Sequence, residues 1–515
     1  MKNLPIGIQS LVELRNLNCI YVDKTELIHN LVTTGKYYFL SRPRRFGKSL
    51  LISTLKELFK GNKTLFKDLW IESHWDWSQT SPVIHISFDV VDYQMQSLAQ
   101  ALTYELDKCA KIYDVTLESD GFKQRFRELL EVLKAKHGRV VLLIDEYDKP
   151  IIDYLEKSKI EQSKINRDTL RDFYSVLKSA DEQLRFVFIT GISKFSRVSL
   201  FSHLNNLNDI TIDAQFSAIV GYTQNELESY FDDYLQAIEQ KLALNREALL
   251  EKMQVWYNGY SWDGVTRVYN PFGTLNFFYK KTFVNFWFTT GNPKFLMEQM
   301  REKAFYNIEN QTVNGLIFEK FDIENIELTS LLFQSGYLTI KELGERDNYY
   351  VLDYPNHEVR ESMYQFLIDD LAKNIHRGDS GLTMIDLKKA FLERDTEQVR
   401  EILNGILADL PNEAFLKQTE GLFHGLVHII FKYLGIFIKS EVRSSRGRAD
   451  AVVETPTDVF IFEFKINKTA AEAMAQIEKK KYADKYRASK KTLNGIAFNY
   501  NSTERCIDEW EEKML

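Results

Sequence analysis

The stretch YYFLSRPRRFGKSLLISTL, residues 37–55, determines how the first part of the chain is expected to fold. An apolar strand runs into a short loop, and the loop runs into a helix with amphipathic periodicity. The tripeptide GKS at the helix start matches the end of a phosphate-binding loop, although Arg42 stands where that motif has its first glycine. A helix start offers unpaired backbone N–H groups and a positive dipole end, so this arrangement favours a nucleotide site over a basic turn.

The side chains of this loop suit different parts of a bound triphosphate. Gly47 lets the backbone approach the phosphates, Lys48 reaches the β- and γ-phosphates, and Ser49 holds Mg²⁺ through its hydroxyl. Three arginines add positive charge beside the triphosphate, and a proline stiffens the turn in place of glycine. Contact of the second or third arginine with the γ-phosphate or with a partner stays open. The residues expected to bind the nucleotide are Arg42, Pro43, Arg44, Arg45, Phe46, Gly47, Lys48, Ser49 and Leu50.

A second motif, RVVLLIDEYDKP at residues 139–150, supplies acidic groups. Asp145 ends an apolar strand, and ligands of open α/β sheets collect at the carboxyl ends of the strands. Asp145 is therefore predicted to bind Mg²⁺ directly or through water. Glu146 is predicted to orient or deprotonate the attacking water. The alternative interpretation of this motif is an acidic turn after a core strand.

A third motif, FVFITGISKFSRVSLFS at residues 186–202, follows the next strand. Thr190 ends that strand, where a polar side chain can sense the γ-phosphate, and Ser193 is the alternative for this role. Arg197 is either an arginine finger that reaches a neighbouring subunit or an ordinary arginine on a solvated helix.

The C-terminal segment SEVRSSRGRADAVVETPTDVFIFEFKI, residues 440–466, carries a second cluster of charged groups. Glu463 and Lys465 are two positions apart, so on a strand they share one face. Asp450 begins the preceding hairpin strand and can reach the same end of the sheet. Two carboxylates can hold Mg²⁺ or Mn²⁺, which activates a water that attacks phosphate, while Lys465 orients the water or neutralises developing charge. The alternative is alternating charge on an edge strand.

Taken together, these motifs resemble the AAA-ATPase-like proteins of bacteria and archaea that carry a C-terminal nuclease-like domain of the PD-(D/E)XK superfamily. Further segments that carry the resemblance are YVDKTELI from Tyr21, FSHLNNLNDIT from Phe201, GYTQNEL from Gly221 and WYNGYSWDG from Trp256. In that family the arginine-rich loop is normal. The resemblance implies a P-loop NTPase domain that uses ATP, and a C-terminal α/β domain like that of restriction endonucleases.

The resemblance also implies additional residues at the C-terminal site. An upstream acid completes the metal site in the superfamily, and both Glu441 and Glu420 are candidates. Gln476 falls on the helix after the core strands, where the superfamily often has a further active-site side chain, and Tyr482 lies beside it. A separate histidine pair at positions 424 and 428 is spaced for metal binding, but no third ligand is near in the sequence, which favours satisfied histidines.

The composition narrows the class of protein. A net charge of −7 argues against a general nucleic-acid packaging protein, and a local basic groove stays possible in principle. Three widely spaced cysteines indicate neither a disulfide framework nor a zinc site. No signal peptide or membrane span is expected, so the predicted location is the cytoplasm.

Strand-like and helical patterns divide the sequence into parts. We expect an ATPase domain with a parallel sheet at 1–215, a mostly helical lid or connecting domain at 216–370, a helical connector at 371–410, and a nuclease-like domain at 411–515. The predicted function is an ATP-binding and ATP-hydrolysing module that regulates a metal-dependent nuclease acting on DNA, in defence or mobile-element biology. RNA as substrate stays open. The alternatives are a switch that binds nucleic acid or protein without cleavage, and an ATPase whose assembly into a homo-oligomer activates the nuclease.

Overall fold

The computed structural model describes residues 1–194, 201, 204, 206–287, 294–303, 305, 308–319, 326–344, 348–371, 380–408, 423, 426–435, 439–442 and 450–515. The chain divides into two compact units. The first unit comprises Met1–Phe295 with Glu309–Val359, and the second comprises Leu296–Ile308 with Arg360–Leu515. Within the described ranges, no helix is both long and apolar enough to span a bilayer.

The described strands are short, as in most globular domains. They are β1 (Tyr37–Ser41), β2 (Val83–Ser87), β3 (Val140–Asp145), β4 (Leu184–Gly191), β5 (Asn208–Asp209), β6 (Gln311–Asn314), β7 (Thr339–Leu343), β8 (Tyr349–Asp353), β9 (Lys439–Val442), β10 (Ala451–Glu454), β11 (Asp458–Ile466), β12 (Thr492–Asn501) and β13 (Cys506–Met514).

The helices lie between and around these strands. They are α1 (Leu11–Asn16), α2 (Thr25–Thr34), α3 (Lys48–Phe59), α4 (Leu98–Ile112), α5 (Phe122–His137), α6 (Lys149–Ile152), α7 (Ile160–Ser179), α8 (Gln224–Tyr230), α9 (Asp232–Leu242), α10 (Arg246–Tyr257), α11 (Pro271–Lys280), α12 (Lys294–Glu302), α13 (Leu328–Gln334), α14 (His357–Leu371), α15 (Ser380–Glu393), α16 (Thr396–Ala408) and α17 (Ala470–Lys479).

The predicted parallel sheet of the first unit is confirmed. Its strand order is β2-β3-β4-β1-β5, and every described pairing in it is parallel. Every residue of β1 and β3 is buried. Helices cover both faces of such a sheet, so its strands consist of nearly continuous apolar residues. These apolar runs are the reason that the strands could be recognised in the sequence.

The middle of the chain is helical, as predicted, and it also contains a sheet that the sequence analysis did not anticipate. Helices α8 to α11 pack around an apolar core that includes Leu227, Phe231 and Tyr257. Strands β6, β8 and β7 form a small antiparallel sheet in that order. Two of its strands, QTVN and TIKEL, mix polar and charged residues, so they lack the apolar run by which the other strands were recognised.

The second unit contains the predicted C-terminal α/β fold. Its sheet has the order β13-β12-β11-β10-β9. Strands β11 and β12 are parallel, whereas the other neighbours are antiparallel. Helix α17 lies between β11 and β12 in the sequence and packs on them with Ala473, Met474 and Ile477. The charged strand β13 was not predicted, because CIDEWEEKM has no apolar run.

A buried carboxylate near the start of α14 fixes a loop of the first unit. Glu358 is fully buried, and its Oε1 accepts hydrogen bonds from the backbone N–H groups of Phe286 at 2.6 Å and Trp287 at 2.7 Å. Burial raises the pKa of Glu358 from 4.5 to about 7, although the two N–H donors oppose this shift. The loop is thus held by a carboxylate for which ionisation is costly.

Replacement of Glu358 by glutamine is expected to make the stability of the first unit less dependent on pH. The wild type should lose stability as pH rises from about 4.5 to about 7, because over that range the unfolded chain releases a proton that the folded chain retains. Glutamine does not titrate. The unfolding free energy of Glu358→Gln should therefore rise relative to wild type by up to about 3 kcal/mol across this range, and change no further at higher pH.

Thermal unfolding, followed by tryptophan fluorescence over this pH range, measures the effect. Glu26→Gln, at an exposed position on α2, is the matched control and should follow the wild-type profile. Parallel pH profiles for wild type and Glu358→Gln would contradict the prediction.

Candidate nucleotide and metal sites

The phosphate loop joins the buried strand β1 to helix α3. Gly47 is the residue before the helix and has φ +93°, which is a left-handed conformation that favours glycine. A Cβ atom added at Gly47 would meet no atom within 4 Å, so the backbone angle and not the available space accounts for glycine here. The first turn of α3, whose N–H groups have no partner within the helix, follows directly, and such a turn is suited to anion binding.

Lys48 lies inside the loop. Its Nζ donates hydrogen bonds to the carbonyl oxygens of Arg42 at 2.8 Å and Pro43 at 2.9 Å, and the side chain is only 5% exposed. Burial lowers the pKa of Lys48, while the charges of Asp145 and Glu146 act to raise it. The amine is thus held at the centre of the loop and within the field of the acidic motif on β3.

A cavity of about 350 Å³ opens in front of the loop, which is the size range of small-ligand sites. Phosphate-loop residues 44–51 form part of its wall, together with Glu146. The rest of the wall is largely apolar and includes Ile6, Ile8, Tyr222, Phe272 and Leu275. One cavity therefore offers N–H groups and cations on one side and apolar surface elsewhere, as a nucleoside phosphate requires.

Asp145 and Thr190 meet at the carboxyl ends of the adjacent strands β3 and β4. The Thr190 hydroxyl donates a 2.7 Å hydrogen bond to Asp145 Oδ1, and both side chains are buried. This bond fixes the orientation of the carboxylate that is predicted to bind Mg²⁺. The role of Thr190 as a sensor of the γ-phosphate stays a prediction.

Glu146 lies in the cavity wall, directly after β3. It has φ +52°, so the chain turns sharply at this residue. Burial raises the pKa of Glu146, and the charge of Lys48 acts in the opposite direction. Two further wall residues, Asp89 and Lys149, were not singled out from the sequence, and their charged atoms are 3.8 Å apart.

Asp148 is a buried member of the same acidic motif that the sequence analysis did not assign. Its Oδ2 accepts hydrogen bonds from the N–H groups of Ile192 at 3.0 Å and Ser193 at 2.6 Å, and from the Ser193 hydroxyl at 2.6 Å. Burial raises its pKa. Both the N–H and the hydroxyl of Ser193, the alternative candidate for the γ-phosphate sensor, thus donate to Asp148. In the sequence, the feature that could have indicated Asp148 is the second aspartate of IDEYD, residues 144–148.

The contacts of the first arginine of the loop were not expected from the sequence. Arg42 is fully buried, and its Nη1 donates to the carbonyl oxygens of Ser41 at 2.9 Å and Thr211 at 2.7 Å. Burial lowers its pKa to about 9. The guanidinium lies 3.9 Å from the ring centroid of Trp262. Arg42 thus contacts two carbonyl oxygens and an aromatic ring and does not line the cavity, and its role beside the triphosphate stays a prediction.

The second cluster forms at the junction of β10 and β11. The N–H of Asp450 donates to the Phe462 carbonyl at 3.0 Å, and Asp450 Oδ2 accepts from the N–H of Phe464 at 3.1 Å. These two bonds fix the Asp450 carboxylate against the strand that carries Glu463 and Lys465. The structure thus brings together the three side chains that the sequence analysis grouped.

Glu463 is the most buried member of this cluster. Its Oε1 accepts hydrogen bonds from Lys465 Nζ at 3.0 Å and from Gln476 Nε2, whereas its buried Oε2 has no hydrogen-bond partner among the described residues. Burial, and then the charge of Asp450, raise the pKa of Glu463 to about 7, while Lys465 opposes this. An unsatisfied carboxylate oxygen close to a second carboxylate fits a hard divalent cation.

Gln476 connects the remaining predicted residues of this cluster. Its Oε1 accepts from Lys465 Nζ at 2.9 Å, and its Nε2 lies 3.3 Å from the Tyr482 hydroxyl. One amide on α17 therefore positions both the lysine and the glutamate of β11.

The third metal ligand is not identified by the described residues. Glu441 lies on β9 in register with Val452. No group of three or more His, Cys, Asp or Glu side chains suited to a metal occurs in the described part of the chain. His428 lies in a described helical segment. Three residues considered in the sequence analysis lie outside the described residues: Arg197, Glu420 and His424.

Comparison with known proteins gives matches at both sites. A family model described as predicted AAA-ATPase matches residues 5–201, and a model of the PD-(D/E)XK nuclease superfamily matches residues 418–510. A protein of Azotobacter chroococcum mcd 1, described as an uncharacterized protein in the vnfD 5' region, is 36% identical over 521 residues. That alignment covers 98% of each chain.

Thr190→Val is expected to raise the Mg²⁺ concentration required for half-maximal ATP turnover by about tenfold. The variant keeps the side-chain volume but removes the hydrogen bond to a charged carboxylate, and such bonds contribute about 1.5–3 kcal/mol. Titration of turnover with Mg²⁺ measures the effect. Thr103→Val on α4, which removes a hydroxyl bonded to the Ala99 carbonyl, is the control. An unchanged Mg²⁺ requirement in Thr190→Val would show that the bond does not orient Asp145 for the metal.

Proposed function

Because the chain belongs to the AAA-ATPase-like family with a C-terminal PD-(D/E)XK nuclease superfamily domain, we propose that it couples ATP hydrolysis to metal-dependent cleavage of DNA. The observation that carries the proposal is the presence of two separate charged clusters, each assembled within its own unit. In this scheme the ATPase domain is 1–215, the helical lid 216–370, the connector 371–410 and the nuclease domain 411–515.

In the ATPase module, the phosphate loop binds the triphosphate and the acidic motif prepares the attacking water. Lys48 leaves the loop carbonyls to contact the β- and γ-phosphates, while the N–H groups at the start of α3 bind phosphate oxygens. Ser49 and Asp145 would hold Mg²⁺, which neutralises phosphate charge. Glu146 accepts a proton from water, and its raised pKa suits it to this transfer.

In the nuclease module, Asp450 and Glu463 would hold Mg²⁺ or Mn²⁺, with Glu441 as the proposed third ligand. The bound ion would supply a water of lowered pKa and a Lewis acid for the scissile phosphate. Lys465, held by Glu463 and Gln476, places a positive charge where negative charge develops on the phosphate. Exposed lysines 479–481 at the end of α17 are suited to sugar–phosphate contacts, which position a duplex without reading its sequence.

Lys465→Ala is expected to reduce the rate of DNA nicking in Mg²⁺ or Mn²⁺ by roughly 10²-fold or more, because it removes a charge that stabilises the transition state. Gln476→Leu should reduce the rate by about tenfold, since Lys465 then keeps only its bond to Glu463. Conversion of supercoiled plasmid to the nicked form measures both rates. Glu472→Gln, exposed on the same helix, should match wild type. Nicking that survives Lys465→Ala would refute the assignment of the site.

Lys48→Ala is expected to abolish ATP hydrolysis and with it any dependence of nicking on ATP. In the wild type, the nicking rate with ATP should differ severalfold from the rate without ATP. In Lys48→Ala the two rates should be equal, while nicking that depends on Lys465 persists. A cleavage panel on DNA and RNA, with and without ATP, measures hydrolysis and cleavage in parallel.

The outcomes of this panel separate the proposed function from its alternatives. Equal nicking with and without ATP in the wild type would contradict coupling and leave two independent activities. ATP hydrolysis without cleavage of either nucleic acid would favour a switch whose nuclease-like domain only binds. The cluster of Asp450, Glu463 and Lys465 supports cleavage over that alternative, because a binding surface has no need of a carboxylate pair in which a buried oxygen of Glu463 is unsatisfied.

A further inference from the structure

Five consecutive residues of the phosphate loop are each contacted by side chains or backbone from far along the chain, within the same unit. The contacts are two edge-to-face ring contacts, two guanidinium–ring contacts, one hydrogen bond and one close approach to a glycine. They join Arg42 to Trp262 at 3.9 Å, Pro43 to Gly336, the Arg44 carbonyl to Trp287 Nε1 at 3.4 Å, Arg45 to Phe272 at 4.9 Å, and Phe46 to Tyr260 at 4.8 Å and to Trp262 at 5.3 Å.

The contact between Arg42 and Trp262 involves a buried charge. The Nε and Nη2 atoms of Arg42 are buried and have no hydrogen-bond partner among the described residues. Burial of an incompletely paired cation is costly, and the face of an indole ring offsets part of that cost. More distant charges on Asp209 and Asp263 also favour the charged form. The buried charge of Arg42 thus depends on Trp262 for its stabilisation, whereas a glycine at this position would have no charge to stabilise.

The aromatic residues that contact the loop are themselves fixed by bonds that do not involve it. Tyr260 exchanges two backbone hydrogen bonds with Val268, and the N–H of Ser261 donates to Thr339 Oγ1 at 2.7 Å. Gly259 has φ +105°, and a Cβ atom there would lie 2.2 Å from the Pro355 carbonyl oxygen. The turn that carries Tyr260 and Trp262 is therefore held by contacts that do not involve the loop.

Trp287 is held in a similar way. Its backbone N–H donates to buried Glu358, while its indole N–H donates to the Arg44 carbonyl. Gly336 permits the close approach beside it, because a Cβ atom at that position would lie 2.7 Å from Pro43. The loop is thus contacted by two separately anchored aromatic segments.

We propose that Tyr260, Trp262 and Trp287, here named the aromatic platform, are positioning residues that hold the phosphate loop in its nucleotide-binding conformation. This inference rests on the proposed nucleotide binding. A phosphate loop normally gains its shape from glycines and the phosphate itself. Here the platform orders the loop in advance, so the nucleotide does not have to spend binding energy on ordering it.

Trp262→Ala tests the proposal in the full-length chain. ATP affinity, measured by calorimetry, should fall about tenfold, because the variant loses the ring face that holds Arg42 and the nucleotide must then order the loop itself. KM should rise with a smaller change in kcat, and Trp262→Phe should retain most of the affinity because a ring face remains. Thermal unfolding of each variant reports its stability separately.

Trp256→Ala is the matched control. Trp256 belongs to the same aromatic segment but packs on Tyr257, Phe283 and His357. Its loss should lower the unfolding temperature without changing ATP affinity. If Trp262→Ala behaves in the same way as this control, the platform is only structural and the proposal is overturned.

A double-mutant cycle isolates the contact itself. Arg42→Gly, Trp262→Ala and the double variant should show non-additive losses of ATP affinity, with the double variant less impaired than the sum of the single variants. Additive losses would overturn the proposal. Should Trp262→Ala fail to fold, Trp262→Leu replaces it in the cycle. Failure of the wild type to bind ATP would refute the proposed function. If the wild type binds ATP and the variants bind it with the same affinity, only this inference is refuted.

Discussion

Burial of the parallel strands is the constraint on which the first unit depends. Leu142, Ile144 and Ile189 are fully buried, so β3 and β4 cannot shift their pairing without exposing apolar side chains or burying charged ones. The residues that end these strands therefore emerge at one edge at fixed positions. Asp145 and Thr190 meet there because Ile144 pairs with Ile189, and the phosphate loop leaves the adjacent strand β1 at the same edge.

In the second unit, apolar and charged side chains alternate along part of strand β11, whereas strands β1 and β3 of the first unit are buried along their whole length. On β11, Phe462 and Phe464 occupy alternate positions with Glu463 and Lys465, so one strand supplies core on one face and charge on the other. Asp450 is added by backbone hydrogen bonds at the hairpin. Burial and the charge of Asp450 raise the pKa of Glu463, and perturbed pKa values cluster at functional sites, which agrees with the role proposed for this residue.

The sequence allowed the strands, the family and the grouping of Asp450, Glu463 and Lys465 to be predicted, because each depends on local periodicity or on residues close in the chain. Strands β6, β7 and β13 were missed because their polar composition resembles that of loops. The contacts of Arg42 and Thr190 were not predictable for a different reason. Each depends on a partner that only the tertiary fold brings near, namely Trp262 and Asp145.

The contacts behind the phosphate loop have a consequence for where the ATPase module ends. The family model stops at residue 201, but Trp262, Trp287 and Gly336 all lie beyond it. The segment that the family model recognises is therefore shorter than the segment that contacts and supports the phosphate loop. A loop with arginine and proline in place of glycine can be inherited only together with its distant support. Recombination or gene fission between the two would leave a phosphate motif without the means to keep its shape.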